Sequence, residues 1–309
     1  MRANGINARA VISIGTNSTR LLVAEIVPEG IAPLAHDSRG TRLGANLRES
    51  GPLDPQARDR TLEAIDAYVV VARRYDAQIS VIATSAMRRA SDGAAFAAEI
   101  AEHTGTAPLV LDGNEEATYS YLGATAAFAG ADLVVGVLDV GGGSTEYASD
   151  VPSRARGKLA TTMSLEIGAV RLGEAVPALL GGVALDASAR ADAIARARAI
   201  ADAILAPLAA QPAPERLLAV GGTVVTAGLM LHGHGDGATL TGLERQKLID
   251  DLLARSLAER IEMPGIRPQR ADILPAGLII VDAAAAALRC DAMTISLSDL
   301  LAGYLRATS

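Results

Sequence analysis

Tryptophan is absent from this chain, cysteine occurs once, and aromatic residues make up only 3% of the 309 positions. A lone thiol, Cys290, has no partner within the chain for a disulfide, which fits a reducing compartment and makes the cytoplasm the expected location. So few aromatics remove the stacking platforms that hold single-stranded nucleic acids. A basic surplus is missing too. Twenty-eight Lys and Arg against 35 Asp and Glu leave a net charge of −7, so no DNA partner is expected. Half of the residues are hydrophobic, yet no apolar run is long enough to cross a bilayer. The best candidate, AGLIIVDAAAAAL, is short, rich in alanine and broken by Asp282, so no membrane partner is expected. The first residues, MRANGINARA, lack the apolar core of a signal peptide. A phosphorylated ligand held by backbone amides and a few arginines remains compatible with this balance.

Small-residue turns between apolar runs are what the sequence does contain. VISIGTNSTRLLVAEI (11–26) and LVVGVLDVGGGSTEYA (133–148) each read as a strand, a small polar turn and a resumed strand. Either alone is explained by a β-hairpin, because Gly and Asn accept positive φ. The two align with Asp139 lying 126 positions after Ser13, and LLAVGGTVVTAG (217–228) adds a third turn after an apolar strand. Three such units point to anion chemistry. Glycines let backbone N–H groups approach a ligand, a nest of them binds phosphate, and a helix opening at such a turn adds its dipole.

Periodicity predicts strands at 10–14 and 20–27, then a helix over 54–74 that starts at Asp54-Pro55. A buried strand follows at 78–84, a helix at 94–105 stopped by Gly105, a strand at LVLDG and a helix at 114–128. The second half repeats the plan with strands at 133–138, 145–149 and 158–165, a long helix at 185–209, a strand at 217–220 and helices to the end. This alternation predicts an α/β fold with buried sheets. Two halves that each open with strand–turn–strand suggest duplication with a ligand cleft between them. The boundary is placed near 126–131, giving domains 1–128 and 129–309.

The segments IGTNSTRLLV, TRLG (41–44), ATSAMRRA (83–90), GNEEATYSYLG (113–123), DVGGGSTE (139–146), SLEIGAVRL (164–172), AVGGT (219–223) and PGIRPQRADILPAG (264–277) occur in this order over nearly the whole chain. Together they resemble the exopolyphosphatase/guanosine pentaphosphate phosphatase family of the actin-like ATPase superfamily. The resemblance implies two actin-like (ribonuclease H-like) domains with an interdomain cleft. It also implies hydrolysis of a terminal phosphoanhydride of polyphosphate or of guanosine pentaphosphate. The expected assembly is a homodimer.

Such chemistry needs anionic oxygens stabilised, a metal to bridge them and a positioned water. The resemblance assigns phosphate contacts to Gly15, Thr16, Asn17 and Ser18, to Gly141, Gly142, Gly143 and Ser144, and to Gly221, Gly222 and Thr223. Arg42, in TRLG, is a further phosphate-ligand candidate. Asp139 and Glu146 would hold Mg²⁺, or Mn²⁺, hard cations that favour carboxylate and water oxygen. The catalytic base falls in the Glu-Glu-Ala segment on Glu116, with Glu115 as the alternative, and Arg88 is the phosphate-facing arginine. Paired acids at a helix N-terminus also serve as ordinary dipole complements. His232 and His234 lie in a Gly-rich loop without a third clear ligand and read as structural, while His36 and His103 read as surface residues.

Two positions depart from the family pattern. Ser13 stands where members usually carry Asp, and Leu301-Ala302 stands where Arg-Glu is common. Ser13 keeps a hydroxyl without the charge. That leaves open a weak enzyme, a changed metal site or a phosphatase-like binding protein. The leading expectation is release of orthophosphate from the ends of inorganic polyphosphate, with guanosine pentaphosphate hydrolysis, or a non-catalytic sensor of polyphosphate or guanosine tetraphosphate, as the alternatives.

Overall fold

The first apolar run forms β1 (Ala8–Ile14) and returns antiparallel as β2 (Thr19–Val27), with Ser13 opposite Arg20. The structure is a computed structural model that describes residues 7–28, 30–154 and 158–309. Next along the chain, β3 (Gly30–Arg39) pairs antiparallel with β2 at the edge of the sheet. The sequence reading misses this strand because its apolar and polar residues do not alternate and it contains Pro33. Proline donates no ladder hydrogen bond and is tolerated at edges and bulges. Here the β2–β3 register shifts between Val23 and Ala24, where Ala24 faces Pro33.

The predicted first helix is α1 (Pro55–Arg73), capped by Asp54, whose carboxylate accepts from the Ala57 amide. After it come β4 (Gln78–Ala83), parallel to β1, the short α2 (Ser85–Arg89), and α3 (Gly93–Thr104), which ends at Gly105 with φ 77°. The two-residue β5 (Leu109–Val110) and α4 (Gly113–Ala124) follow. The sheet order is β3-β2-β1-β4-β5. Alternation along β1 sends Ile12 and Ile14 toward Ile65, Tyr68 and Phe96, whereas Val11 packs on the other face.

A second sheet starts with the meander β6 (Val135–Val140), β7 (Thr145–Asp150) and β8 (Thr161–Leu165). Then come α5 (Ala169–Ala175), α6 (Ala187–Ala209), β9 (Arg216–Val220) parallel to β6, and α7 (Gly222–His232). The remaining elements are β10 (Thr239–Thr241), α8 (Gly242–Leu253), α9 (Leu257–Ile261), α10 (Leu274–Ala287) and β11 (Ala292–Ile295). The order is β10-β11-β9-β6-β7-β8. Without its edge strand β10, this sheet repeats the first in order and in strand direction, with β6–β9 and β9–β11 parallel as β1–β4 and β4–β5 are. The repeated α/β pattern expected from the paired strand–turn–strand openings is therefore present. β10 and β11 fall where the sequence predicts only helix, because three or four residues are too short to show a period of two.

The apolar run around Asp282 becomes α10, buried along most of its length. Its acid is there for a reason. Asp282 accepts from Arg198 Nη1 at 2.8 Å and from Arg245 Nε at 3.1 Å, and Arg245 is itself buried. Among the described residues no helix is long and apolar enough to cross a membrane.

By internal contacts the chain forms two units, Met1–Gly123 with Leu300–Ser309, and Ala124–Asp299. The sequence reading divides the chain at 128/129 and runs its second domain to 309. The last helix, α11 (Leu300–Ala307), instead packs Leu300, Leu301 and Leu305 with Val11, Leu22 and Ile82 of the first unit. Nothing in its own apolar stripe specifies which sheet it covers. Leu301 and Ala302, the family departures, are buried in this packing.

Candidate active site

Both small-residue turns close the same way. Gly15 N–H donates to the Ser18 carbonyl at 3.0 Å, and Gly141 N–H donates to the Ser144 carbonyl at 3.0 Å. Each is a hairpin in the geometric sense, joining antiparallel strands. What each turn offers a ligand depends on where its carbonyls go.

In the second unit those carbonyls are tied back. Ala169 N–H donates to the Gly141 carbonyl and Val170 N–H to the Gly142 carbonyl, both at 2.9 Å, and Arg171 Nη1 reaches the Gly143 carbonyl at 3.3 Å. A trans peptide points its N–H away from its own C=O, and none of the described bonds is cis. The amides of Gly142, Gly143 and Ser144 therefore point away from α5, together, as a phosphate-binding nest requires. Gly168 lies backbone to backbone on Gly142 and Gly143, so a side chain there would collide with the loop.

Asp139 and Glu146 are directly opposite across β6–β7 and share one face of the sheet. Glu146 is buried and accepts from the Ser164 hydroxyl at 2.8 Å. Parallel pairing of β6 with β9 sets Val220 beside Asp139 and brings the third turn to the same place. Gly221, at φ 92°, lies so near Asp139 that an added Cβ would be 2.7 Å from Oδ1. Gly222 and Thr223 then open α7, and the Arg270 guanidinium rests on Gly222. The second unit thus gathers Asp139, Gly141 to Ser144, Glu146 and Gly221 to Thr223.

Two carboxylates on one face, beside an amide nest, suit a magnesium-type cation, which usually takes one or two carboxylates and completes its shell with water and phosphate oxygens. Among the described residues there is no group of three or more His, Cys, Asp or Glu side chains placed to enclose a metal. His232 and His234 are exposed, with ring centroids 6.3 Å apart, and His232 faces Glu244 at 3.6 Å. Glu244 closes the capping box of α8, and hydrogen bonds from the Thr241 amide and hydroxyl hold its carboxyl below the ordinary range. His36 is exposed, and His103 bonds Asp66 at 2.7 Å near the surface.

In the first unit, Gly44 N–H donates to the Thr16 carbonyl at 2.9 Å and Arg42 N–H donates to the Asn17 carbonyl at 3.0 Å. By the same peptide geometry the Asn17 and Ser18 amides point away from the 42–44 loop, where Arg42 sits at φ 54°. The Asn17 carboxamide is buried with neither Oδ1 nor Nδ2 paired among the described residues, and so is the Ser85 hydroxyl at the start of α2. Buried polar atoms without partners are rare and mark places completed by water or ligand.

α2 carries Arg88, whose Nη1 donates to Glu116 Oε1 at 2.7 Å and to the Leu111 carbonyl at 2.5 Å. Glu116 is buried. Its neighbour Glu115 is exposed, and its carboxylate accepts from the Asp112 amide at 2.8 Å, while Asp112 Oδ1 accepts from the Asn114 and Glu115 amides. The paired acids thus divide, Glu115 fastening the helix start and Glu116 held on an arginine. Gly168, Arg171, Ser164, Arg20 and Arg270 lie inside quoted segments, yet no role is assigned to any of them from the sequence. All but Arg20 depend on contacts made far along the chain, for which residue type gives no signal.

The sequence profile of the Ppx/GppA phosphatase family matches residues 22–306. The chain is 28% identical over 324 aligned positions to Exopolyphosphatase 2 of Mycobacterium tuberculosis, covering 95% of this chain and 96% of that one. Among solved structures, an exopolyphosphatase from Cytophaga hutchinsonii superposes with a TM-score of 0.84 at 23% identity, covering 98% of this chain and 97% of the other. The Ppx/GppA family member from Aquifex aeolicus superposes with a TM-score of 0.78 at 24% identity, covering 98% and 97%. These two likenesses speak for the fold.

Proposed function

The chain belongs to the Ppx/GppA phosphatase family, and from that premise we propose that it hydrolyses the terminal phosphoanhydride bonds of inorganic polyphosphate and releases orthophosphate. The observation that carries this reading is the nest of Gly142, Gly143 and Ser144 amides beside the facing carboxylates Asp139 and Glu146. A phosphoryl transition state spreads charge over oxygens, and preorganised donors together with a cation stabilise that charge. The similarity to a protein named as an exopolyphosphatase supports polyphosphate as the substrate.

In this reading Glu116 orients and deprotonates the attacking water. Arg88 holds Glu116 in place, and it supplies positive charge toward phosphate. Asp139 and Glu146 would hold Mg²⁺, or Mn²⁺ in its place, which would supply charge neutralisation at the phosphate oxygens. The turns at Gly15 to Ser18, Gly141 to Ser144 and Gly221 to Thr223, with Arg42, hold phosphates. The reaction is placed in the cytoplasm, in keeping with a single thiol, and the working assembly is a homodimer.

Phosphate release from long-chain polyphosphate and from guanosine pentaphosphate, each with and without Mg²⁺, tests the proposal. Metal-dependent release from polyphosphate is the expected result. Release from guanosine pentaphosphate alone would reassign the substrate. Tight binding of either without release would favour a sensor, the reading that Ser13 supports.

A further inference from the structure

The last helix of the chain meets the helix that carries Glu116 with no side chain between them. A Cβ added to Gly303 of α11 would fall on the Tyr119 carbonyl oxygen of α4, and would lie 2.7 Å from its carbonyl carbon and 2.8 Å from the Gly123 nitrogen. Tyr119 and Gly123 stand three and seven positions beyond Glu116, on the helical stripe that Glu116 begins. Next to the contact, the Tyr304 ring meets the Tyr119 ring edge-on, with centroids 5.4 Å apart and planes at 77°. α11 is itself fixed on the sheet by Leu300, Leu301 and Leu305. Glycine is a poor helix former, so its place inside α11 calls for a packing reason, and the backbone approach to α4 is that reason.

We propose that Gly303 is a positioning residue for Glu116: by letting α11 seat directly on α4, it sets the placement of the Glu116 carboxylate against Arg88. This rests on the catalytic role given to Glu116 above. Any larger residue at 303 must displace α4 or α11, and α4 carries the displacement to its first turn. Misplacing a catalytic group by about 1 Å can cost on the order of 100-fold in rate. Substrate contacts made by the glycine turns are untouched.

The test is a double-mutant cycle on the full chain, with phosphate release from long-chain polyphosphate in Mg²⁺ as the readout. Gly303→Ala is expected to lower kcat by about 10- to 100-fold with KM unchanged within about twofold. In the Glu116→Gln background the same substitution is expected to change kcat by less than about twofold, because residues acting as one unit are not additive. A merely structural role would lower kcat by the same factor in both backgrounds, or raise KM, and either result overturns the inference. Should Gly303→Ala fail to fold, Tyr304 answers instead. Tyr304→Phe keeps the ring edge and should keep kcat, while Tyr304→Ala should lose it only where Glu116 is present. If Glu116→Gln is slow and Gly303→Ala is as fast as the native protein, the positioning role is wrong and the proposed function stands. If Glu116→Gln itself turns over normally, the catalytic assignment fails first.

Discussion

Ser13 occupies in the β1–β2 hairpin the place that Asp139 occupies in the β6–β7 hairpin. Each has a partner directly across its strand pair, Arg20 for Ser13 and Glu146 for Asp139. The turns are the same, closed by one Gly N–H to Ser carbonyl bond, but the side chains before and after them carry opposite chemistry. An acid pair suits a cation. A hydroxyl facing a guanidinium suits an anion. The same hairpin geometry thus carries an acid pair in the second unit and a hydroxyl–guanidinium pair in the first.

Glu116→Gln keeps volume and hydrogen bonding and removes the charge. General-base assistance is worth ~10²–10⁴-fold, so kcat for phosphate release should fall by that factor with substrate affinity kept. Glu115→Gln should leave kcat within a factor of about two, since its carboxylate is spent on the Asp112 amide. Steady-state kinetics of the two variants side by side decide between the paired acids, and a dead Glu115 variant with a normal Glu116 variant would reverse the assignment.

Gly142→Val should abolish polyphosphate binding, not turnover alone, because the side chain blocks backbone approach to phosphate. Gly221→Ala is different. Its φ of 92° is strained for any L side chain, and its Cβ would press on Asp139. It should lose about 1–3 kcal/mol of stability and need more Mg²⁺. Calorimetric titration with polyphosphate separates the two, and unchanged affinity in the Gly142 variant would move the phosphate site elsewhere.

The parts of this molecule legible in its sequence are those that local chemistry specifies. Asp54-Pro55 announces α1, Gly105 ends α3, and the small-residue turns announce both hairpins. β3 was not legible, because an edge strand needs no apolar alternation and tolerates Pro33. Nor was the return of α11 to the first sheet, which is settled by Leu300 and Leu305 finding Val11 and Leu22. At the candidate site the same division holds. The glycines, Asp139 and Glu146 are adjacent in sequence and were found together. Gly168 and Arg270 stand in segments that carry the resemblance, but they reach the glycine turns only through tertiary packing, so their part in the site was not legible.

Asp282→Ala should be strongly destabilising. It leaves Arg245, buried in the second unit, without its carboxylate, while Arg198 keeps Asp202 at 2.7 Å. Removing one partner of a buried ion pair costs about 3–5 kcal/mol, and urea unfolding should show a loss of that size. An Asp282→Leu and Arg245→Met pair should recover much of it, since a packed apolar replacement leaves no charge uncompensated. A loss below about 1 kcal/mol for Asp282→Ala would show that the network is solvated in solution.

Ser13→Asp tests what the unlike hairpins mean for metal use. Ser13 is buried, so a carboxylate there is costly unless paired, and Arg20 opposite supplies the pairing. Serine can accept a hydrogen bond from a metal-bound water but contributes no charge, and losing an outer carboxylate typically weakens metal affinity or activity by roughly 10–100-fold. The native protein is therefore expected to need high Mg²⁺, or Mn²⁺, for release of phosphate, and Ser13→Asp should lower that requirement and raise turnover. Adding Arg20→Ala to Ser13→Asp should remove that gain, because the new carboxylate then stands unpaired in the sheet and the hairpin that presents it is destabilised. Metal titrations of phosphate release for the three proteins provide the measurement. Saturation of the native protein at low Mg²⁺ with a slower Ser13→Asp variant would make Ser13 a working part of a different site, and binding without release in every form would favour the sensor.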